Sequence, residues 1–347
     1  MFNKSEIKKI LFIKFGGIGD VLLSSAVLPN LRSYFPEAEI NVLTYKNCRD
    51  VFDDNPFINR VLTFELERDA SLRLIRSIRK QNYDLIIDLF ANPRTAIVTY
   101  FSRAKYRVGY AFKHRKYAYN IPLVMDDVIG KMHNLDVNLE ALKRIGIPVA
   151  TRDLFLSITK YHDEFALKYF KDNNIENSFK IAIPMAGGWE SKKYKVKDYI
   201  KLIKLFNEKY DVKFILTWGD EYEHRDSIQI NKAVPGNTYV IPDTSIRYLA
   251  AFFKNSNAVL SGDSGHMHIA AVTGVPVLGI FGPTDPLQQG PVGAMHRTIT
   301  HSQLVCLNCA LLDCQIGNIC MTELDKNKII EAFLNMLEEN NITIPLK

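Results

Sequence analysis

Residues 258–281 read AVLSGDSGHMHIAAVTGVPVLGIF. Ala258–Ser261 is a short apolar run that fits a buried strand. Ser264–Thr273 carries the residues of a helix, and Pro276–Phe281 is a second buried run. Strand–helix alternation of this kind implies a parallel sheet covered by helices. Between strand and helix stand Asp263-Ser264-Gly265-His266-Met267-His268. Ligands of such sheets bind beyond the carboxyl ends of strands. Free backbone N–H groups at a helix start suit a diphosphate. Ser264 adds a hydroxyl, and His268 sits one turn in. A capping Asp or Ser beside two incidental histidines is the plainer explanation. The density of polar residues between two apolar runs favours a site.

The same alternation extends in both directions. Ile10–Phe15, Glu39–Tyr45, Arg60–Phe64 and Tyr83–Phe90 read as strands in the first half, with helices over Val21–Tyr34 and Ser71–Lys80. Pro29 should kink the first helix or delay its regular part. In the second half Lys180–Ala186, Lys213–Trp218 and Tyr239–Ile241 join the strands, and Val196–Lys209 and Ser245–Asn255 join the helices. With 347 residues and roughly 100–200 residues per domain, two domains are expected. Gly146-Ile147-Pro148 ends one helical stretch, so the expected units are residues 1–160 and 161–324. Residues 325–347 are expected to be a helix with Ile329, Ile330, Phe333, Met336 and Leu337 on one stripe.

Composition is that of an ordinary globular protein, 47% hydrophobic and 24% charged. A net charge of +6 is too mild to imply nucleic acid. The apolar run near the start is too short for a secretion signal, and no run approaches the ~20 apolar residues that span a bilayer. The expected location is cytoplasmic, soluble or peripheral to a membrane.

Four further features bear chemistry. Gly16-Gly17-Ile18-Gly19-Asp20 follows the first strand and opens a helix. A nicotinamide fingerprint fails there: Leu22 holds the third glycine position, and the second strand ends at Tyr45-Lys46 with no acid for a ribose. No Gly-Lys-Ser/Thr follows, so it is no P-loop. Asp20 as a plain helix cap competes with a functional role. Gly187-Gly188 opens a loop in which Lys192 can reach a phosphate. From Leu89 to Met125 there is no Asp or Glu, while Arg94, Arg103, Lys105, Arg107, Lys113, Arg115 and Lys116 fall inside. That asymmetry points to an anionic partner, either an acidic sugar, a phosphate or a membrane surface, against the plainer solvated face. Lastly, Cys306, Cys309, Cys314 and Cys320 are spaced x2, x4 and x5. Structural zinc, a cluster, redox-sensitive disulfides and thiols buried as small hydrophobes all remain open.

These motifs, in this order, resemble glycosyltransferase family 9, the ADP-heptose:lipopolysaccharide heptosyltransferases. The opening Ile10–Leu23, ILFIKFGGIGDVLL, is similar to that family's first strand and loop. Pro36–Ile40 and Asn55-Pro56 follow in place. Ser261–Pro286, SGDSGHMHIAAVTGVPVLGIFGPTDP, is the most specific match, with Trp218-Gly219 and Glu223 before it. The resemblance covers nearly the whole chain. It implies a GT-B fold, with two Rossmann-like doubly wound domains facing across a cleft. The first would hold the acceptor and the second the nucleotide sugar, with the C-terminal helix packed back on the first. It implies an inverting transfer of heptose from ADP-heptose to a lipopolysaccharide inner-core acceptor, with no cofactor required.

By residue, the resemblance makes Asp20 the general base and Lys192 the phosphate contact. Asp263, Ser264, Gly265 and His268 form the donor loop, and Glu223 contacts the nucleoside. Gly16, Gly17, Gly19, Gly187 and Gly188 shape the loops. Arg94, Arg103, Arg107, Lys113 and Arg115 are candidates for the acidic acceptor, near an anionic inner membrane. Gly187-Gly188 stands where the family carries hydroxyl residues, so another nucleotide sugar remains an alternative. A sugar-nucleotide epimerase and a non-catalytic binder of nucleotide sugar or anionic lipid are the rival readings.

Overall fold

Burial along the strands explains their sequence. In β1 (Lys9–Ile13) every residue after Lys9 is buried, and β4 (Leu85–Asp88) is buried throughout. A strand covered on both faces needs a continuous apolar run, not alternation. The computed structural model describes residues 3–65 and 71–347. It divides the chain into two units, Met1–Ser157 and Ile158–Lys347.

The first unit adds β2 (Glu39–Tyr45), β3 (Arg60–Phe64), β5 (Tyr106–Tyr110) and β6 (Ile121–Leu123). The second holds β7 (Phe179–Pro184), β8 (Val212–Thr217), β9 (Thr238–Val240), β10 (Ala258–Gly262), β11 (Val277–Phe281) and β12 (Arg297–Thr300). The orders are β3-β2-β1-β4-β5-β6 and β12-β11-β10-β7-β8-β9. Every pairing between these strands is parallel. Both are the doubly wound order, which reverses between β1 and β4 in one sheet and between β7 and β10 in the other.

Two expectations need correction. The single helix over Val21–Tyr34 is two helices, Ile18–Ser24 and Val27–Tyr34. Pro29 is the third residue of the second helix, within the first turn, where a missing N–H costs no helical hydrogen bond. The C-terminal helix, Lys326–Glu339, buries its stripe in the second unit instead of the first. Ile329, Phe333, Met336 and Leu337 share a core with Ile203, Phe206, Leu278 and Ile280. The chain leaving β12 meets the uncovered face beside helix Val196–Lys209, and the nearest apolar surface takes the stripe. Beyond the helix, Asp211 N–H donates to the Pro345 carbonyl at 2.9 Å, so the tail stays with the second unit.

Phe333 is fully buried, with its ring centroid 5.4 Å from that of Phe206. Phe333→Ala is expected to destabilise the second unit by about 3–5 kcal/mol, the usual cost of an aromatic cavity. Denaturant unfolding followed by hydrogen exchange would check this. Loss of protection in the first unit only would contradict the assignment of the helix.

No helix among the described residues is long and apolar enough to cross a membrane.

Candidate functional site

In the first unit the loop after β1 carries the chemistry. Gly16 has φ of 131°, which favours glycine, and Asp20 folds back over it: Oδ2 lies 3.4 Å from where a Cβ on Gly16 would stand. A side chain at residue 16 would push on the carboxylate. Gly17 caps helix Ile18–Ser24, and Gly19 is buried within its first turn. Asp20 is exposed, and no hydrogen bond from another described residue holds its carboxylate. Cys48 Sγ approaches the Gly16 carbonyl at 3.8 Å, and burial followed by the Asp20 charge pushes its thiol up to about 11.

Two groups here were not singled out from sequence. Lys14 leaves β1 and donates to the Leu89 carbonyl at 3.2 Å and to Asn138 Oδ1 at 3.3 Å. Asp88, at the end of β4, accepts from Phe90 N at 3.1 Å, Ala91 N at 2.8 Å and the Tyr119 hydroxyl at 2.8 Å. Burial raises the Asp88 pKa, against the pull of those donors.

The basic stretch divides by topology. Helix Pro93–Phe101 runs from the carboxyl end of β4 back to the amino end of β5. Arg94 therefore stands at the carboxyl-end side with the Asp20 loop, as do Lys113 and Arg115, which follow β5. Arg103 and Lys105 stand at the opposite end, where Lys105 pairs with Glu6. Arg107 donates to the Ala118 carbonyl at 3.0 Å and the Ala104 carbonyl at 2.8 Å, so it braces the backbone. Arg94 and Arg115 lie over the Phe64 and Phe112 rings at 5.2 and 5.1 Å.

In the second unit the loops after β7, β8, β10 and β11 converge. Lys192, after β7, meets Asp263 Oδ2, after β10, at 2.7 Å. Their side chains are 14% and 6% exposed, so the pair is largely shielded from solvent. Thr284 donates to the same oxygen at 2.6 Å, and Lys192 lies 4.3 Å from the Trp189 ring centre. Ser264 caps helix Gly265–Val272, accepting from Met267 N at 3.4 Å. Gly265 opens that helix, and its first N–H groups have no intrahelical partner. His266 and His268 are both buried in its first turns. His266 Nδ1 has no hydrogen-bond partner, Nε2 lies 3.0 Å from where a Gly219 Cβ would stand, and burial lowers its pKa to about 4.

Glu223 is buried, and its Oε2 accepts from Gly219 N at 2.7 Å. Burial raises its pKa, opposed by the Gly219 and Gly187 N–H groups. Its carboxylate thus braces the loop after β8, on whose following helix it stands. Gly187 is needed in the loop after β7: a Cβ would stand 2.5 Å from Lys193 Cγ, while Gly188 has φ of 27° and an open surrounding.

The four clustered cysteines lie on the segment that follows β12. All are free thiols, with Cys306 and Cys309 exposed, Cys314 half-buried and Cys320 buried. Among the described residues no group of three or more His, Cys, Asp or Glu side chains is placed to hold a metal. Asn318 N–H donates to Cys314 Sγ at 3.3 Å, so one sulfur serves its own loop.

Two doubly wound parallel sheets define the class, an α/β protein of Rossmann-like units, and in the second the helix start adds N–H groups without intrahelical partners. A family model described as Glycosyltransferase family 9 (heptosyltransferase) matches residues 71–319. The chain belongs to glycosyltransferase family 9. It is similar to lipopolysaccharide heptosyltransferase 1 of Campylobacter coli, with 23% identity over 80% of this chain and 84% of that one. A solved family 9 glycosyl transferase from Veillonella parvula shares the fold, with TM-score 0.83, 19% identity and coverage of 96% of this chain and 97% of that one. So does E. coli ADP-heptose lps heptosyltransferase II, with TM-score 0.76, 19% identity and coverage of 96% and 99%. The architecture is accordingly of the GT-B type, and the protein is a glycosyltransferase.

Proposed function

We propose that the chain moves a heptose from ADP-heptose to an inner-core sugar of lipopolysaccharide, with inversion at the anomeric carbon, on the cytoplasmic face of a membrane. The observation that carries this reading is the Lys192–Asp263–Thr284 cluster beside the start of helix Gly265–Val272, inside the segment that the family model spans. The Campylobacter coli relative is a lipopolysaccharide heptosyltransferase, and the E. coli protein is an ADP-heptose lps heptosyltransferase.

Asp20 accepts the proton of the acceptor hydroxyl as its oxygen attacks the anomeric carbon. The bond from that carbon to the diphosphate oxygen breaks, and ADP departs. Lys192 and the N–H groups at the helix start offset the charge that gathers on the diphosphate. Asp263 does not face the phosphates as a lone anion, because Lys192 and Thr284 share its Oδ2. Its other oxygen is left for a hydroxyl of the sugar. Glu223 acts through the Gly219 turn it holds, shaping the nucleoside end. One in-line displacement inverts the anomeric centre. NMR of the product's anomeric configuration tests that step: inversion is expected, and retention would sink it. Incubating the donor alone distinguishes an epimerase, which would change the sugar without an acceptor.

Arg94, Lys113 and Arg115 are the basic residues placed to meet an acidic acceptor. Replacing all three by Gln is expected to raise the acceptor KM roughly tenfold and to leave the donor KM within about twofold. Charged hydrogen bonds of about 1.5–3 kcal/mol would supply such a change. Sedimentation with anionic vesicles should fall as well. Salt should weaken the wild-type interaction, because exposed charges are screened beyond about 8 Å at physiological ionic strength. An unchanged acceptor KM in the triple variant would leave these residues as a solvated face.

A further inference from the structure

Helix Pro93–Phe101 buries its small side chains and exposes its large ones. Thr95, Ala96, Val98 and Thr99 are buried, and Val98 shares a core with Leu11, Ile13 and Ile86 of the first sheet. Ile97, Tyr100 and Phe101 face outward, 48%, 54% and 50% exposed. Positions i, i+3 and i+4 lie on one stripe of a helix. A helix over a sheet ordinarily turns its apolar stripe to the core and polar residues to water. Single exposed apolar residues are common, but a contiguous run of large ones marks a surface that meets something apolar. The Tyr100 and Phe101 rings touch edge to face, with centroids 5.2 Å apart. The short helix Lys113–Ala118 packs beside this helix and adds Tyr117, 72% exposed.

The surroundings are basic. From Leu89 to Met125 the chain has no Asp or Glu, and Ser71–Lys80, the helix packed alongside, has none either. Arg103, Lys113 and Lys116 are exposed in the same stretch, and Arg76 and Lys80 are exposed on the neighbouring helix. Glu6, from the start of the chain, is taken up by Lys105 and by the Tyr106 hydroxyl. An apolar stripe with cations beside it and no anion in its own segment fits the boundary of a bilayer. Rings and aliphatic chains enter between the headgroups, and Lys and Arg meet the negative ones. A second copy of the chain fits less well, because a two-fold contact would set each basic rim against its own image. A soluble acidic sugar would meet the cations and leave the apolar stripe in water.

We infer that the outer face of helix Pro93–Phe101, with the short helix Lys113–Ala118, is a docking face for an anionic lipid bilayer: Ile97, Tyr100, Phe101 and Tyr117 enter the headgroup layer, and Arg103, Lys113 and Lys116 meet the acidic headgroups. This deepens the proposed reaction, whose acceptor is borne on a lipid. The helix begins at the carboxyl end of β4, the end of the sheet where the Asp20 loop stands. Docking on this face therefore holds that loop near the bilayer surface, within reach of a sugar anchored there.

The test uses the full chain and phosphatidylcholine vesicles with or without phosphatidylglycerol. Wild-type protein is expected to bind the anionic vesicles about tenfold or more tightly than the neutral ones, and high salt should release it. Ile97→Gln, Tyr100→Gln and Phe101→Gln together should weaken that binding about tenfold or more, because the apolar contribution is lost while every charge remains. The three sites are exposed and Gln is a good helix former, so the melting temperature should hold. Kinetics add a readout that a structural role would not move. The triple variant should raise the KM of vesicle-borne, heptose-deficient lipopolysaccharide about tenfold, and leave kcat, the donor KM and the KM of the deacylated core oligosaccharide within about twofold. Tyr100→Trp gives a second measurement that keeps the stripe apolar. Its added indole emission should move to the blue on anionic vesicles and be quenched by lipids brominated in their acyl chains. Vesicle binding unchanged in the triple variant, an indole that brominated lipids do not quench, or a wild-type dimer that the triple variant dissolves would overturn the docking face. Absence of heptose transfer to either acceptor would instead overturn the proposed reaction, with vesicle binding still deciding the docking face.

Discussion

Asp20→Asn is expected to lower kcat by about 10²–10⁴, the range for removing a positioned general base. The substitution keeps the shape of the side chain and removes its ability to accept the acceptor's proton. Asp20 is exposed and no hydrogen bond from another described residue holds it, so the fold should not notice the change. Donor affinity should stay within about twofold, because the donor cluster is built from the loops after β7, β8, β10 and β11, and Asp20 follows β1. Pre-steady-state measurement separates the chemical step from product release. A variant within threefold of wild type would require another base, and the Gly16–Asp20 loop would then be a turn with a capping Asp.

Lys192→Met should weaken ADP by about 10²-fold and leave adenosine almost unchanged. A charged hydrogen bond contributes about 1.5–3 kcal/mol, and 1.4 kcal/mol is a factor of ten. Adenosine lacks the diphosphate and so serves as the control for the shape of the nucleoside end. The variant also strands Asp263, which is 6% exposed at its side chain, without its cation. Breaking a buried pair costs about 3–5 kcal/mol, so the melting temperature should fall too. Calorimetry well below that temperature keeps the two effects apart. Equal losses for ADP and adenosine would make Lys192 a support for the loop and not a phosphate contact.

Much of the fold was legible because parallel strands covered on both faces must be continuous apolar runs. Ile10–Phe15, Glu39–Tyr45, Ala258–Ser261 and Pro276–Phe281 stand out for that reason. β5 and β6 did not. Their sequences, YRVGY and IPL, lie inside the basic stretch, and one is interrupted by Arg107 while the other holds Pro122. The C-terminal stripe was visible, but a helical stripe does not say which sheet it covers. Helix Lys326–Glu339 went to the nearer, unfinished face.

The site was legible in parts. Asp20, Lys192 and Asp263–His268 come from compact motifs whose glycine, acid and basic residues sit at strand ends. Their partnership is not in the spacing. Lys192 and Asp263 lie far apart in sequence and meet because β7 and β10 are neighbours. Thr284 stands inside the most recognisable stretch, yet nothing local marks it as a donor to Asp263. Lys14 has no motif at all, and only the crossing from β1 to β4 gives it meaning. In the basic stretch, composition does not say which residues share an end of the sheet. The direction of helix Pro93–Phe101 separates Arg94, Lys113 and Arg115 from Arg103, and Arg107 donates to the Ala118 and Ala104 carbonyls.

The central claim is the transfer of heptose from ADP-heptose to a lipopolysaccharide core. A donor screen tests it most directly: purified protein, heptose-deficient lipopolysaccharide as acceptor, and ADP-heptose set against other ADP-sugars and UDP-sugars, read by mass spectrometry of the acceptor. The account predicts the added mass of one heptose residue with ADP-heptose, dependent on Asp20. Transfer of a different sugar in preference to heptose, or an acceptor unchanged in mass with every donor, would contradict it.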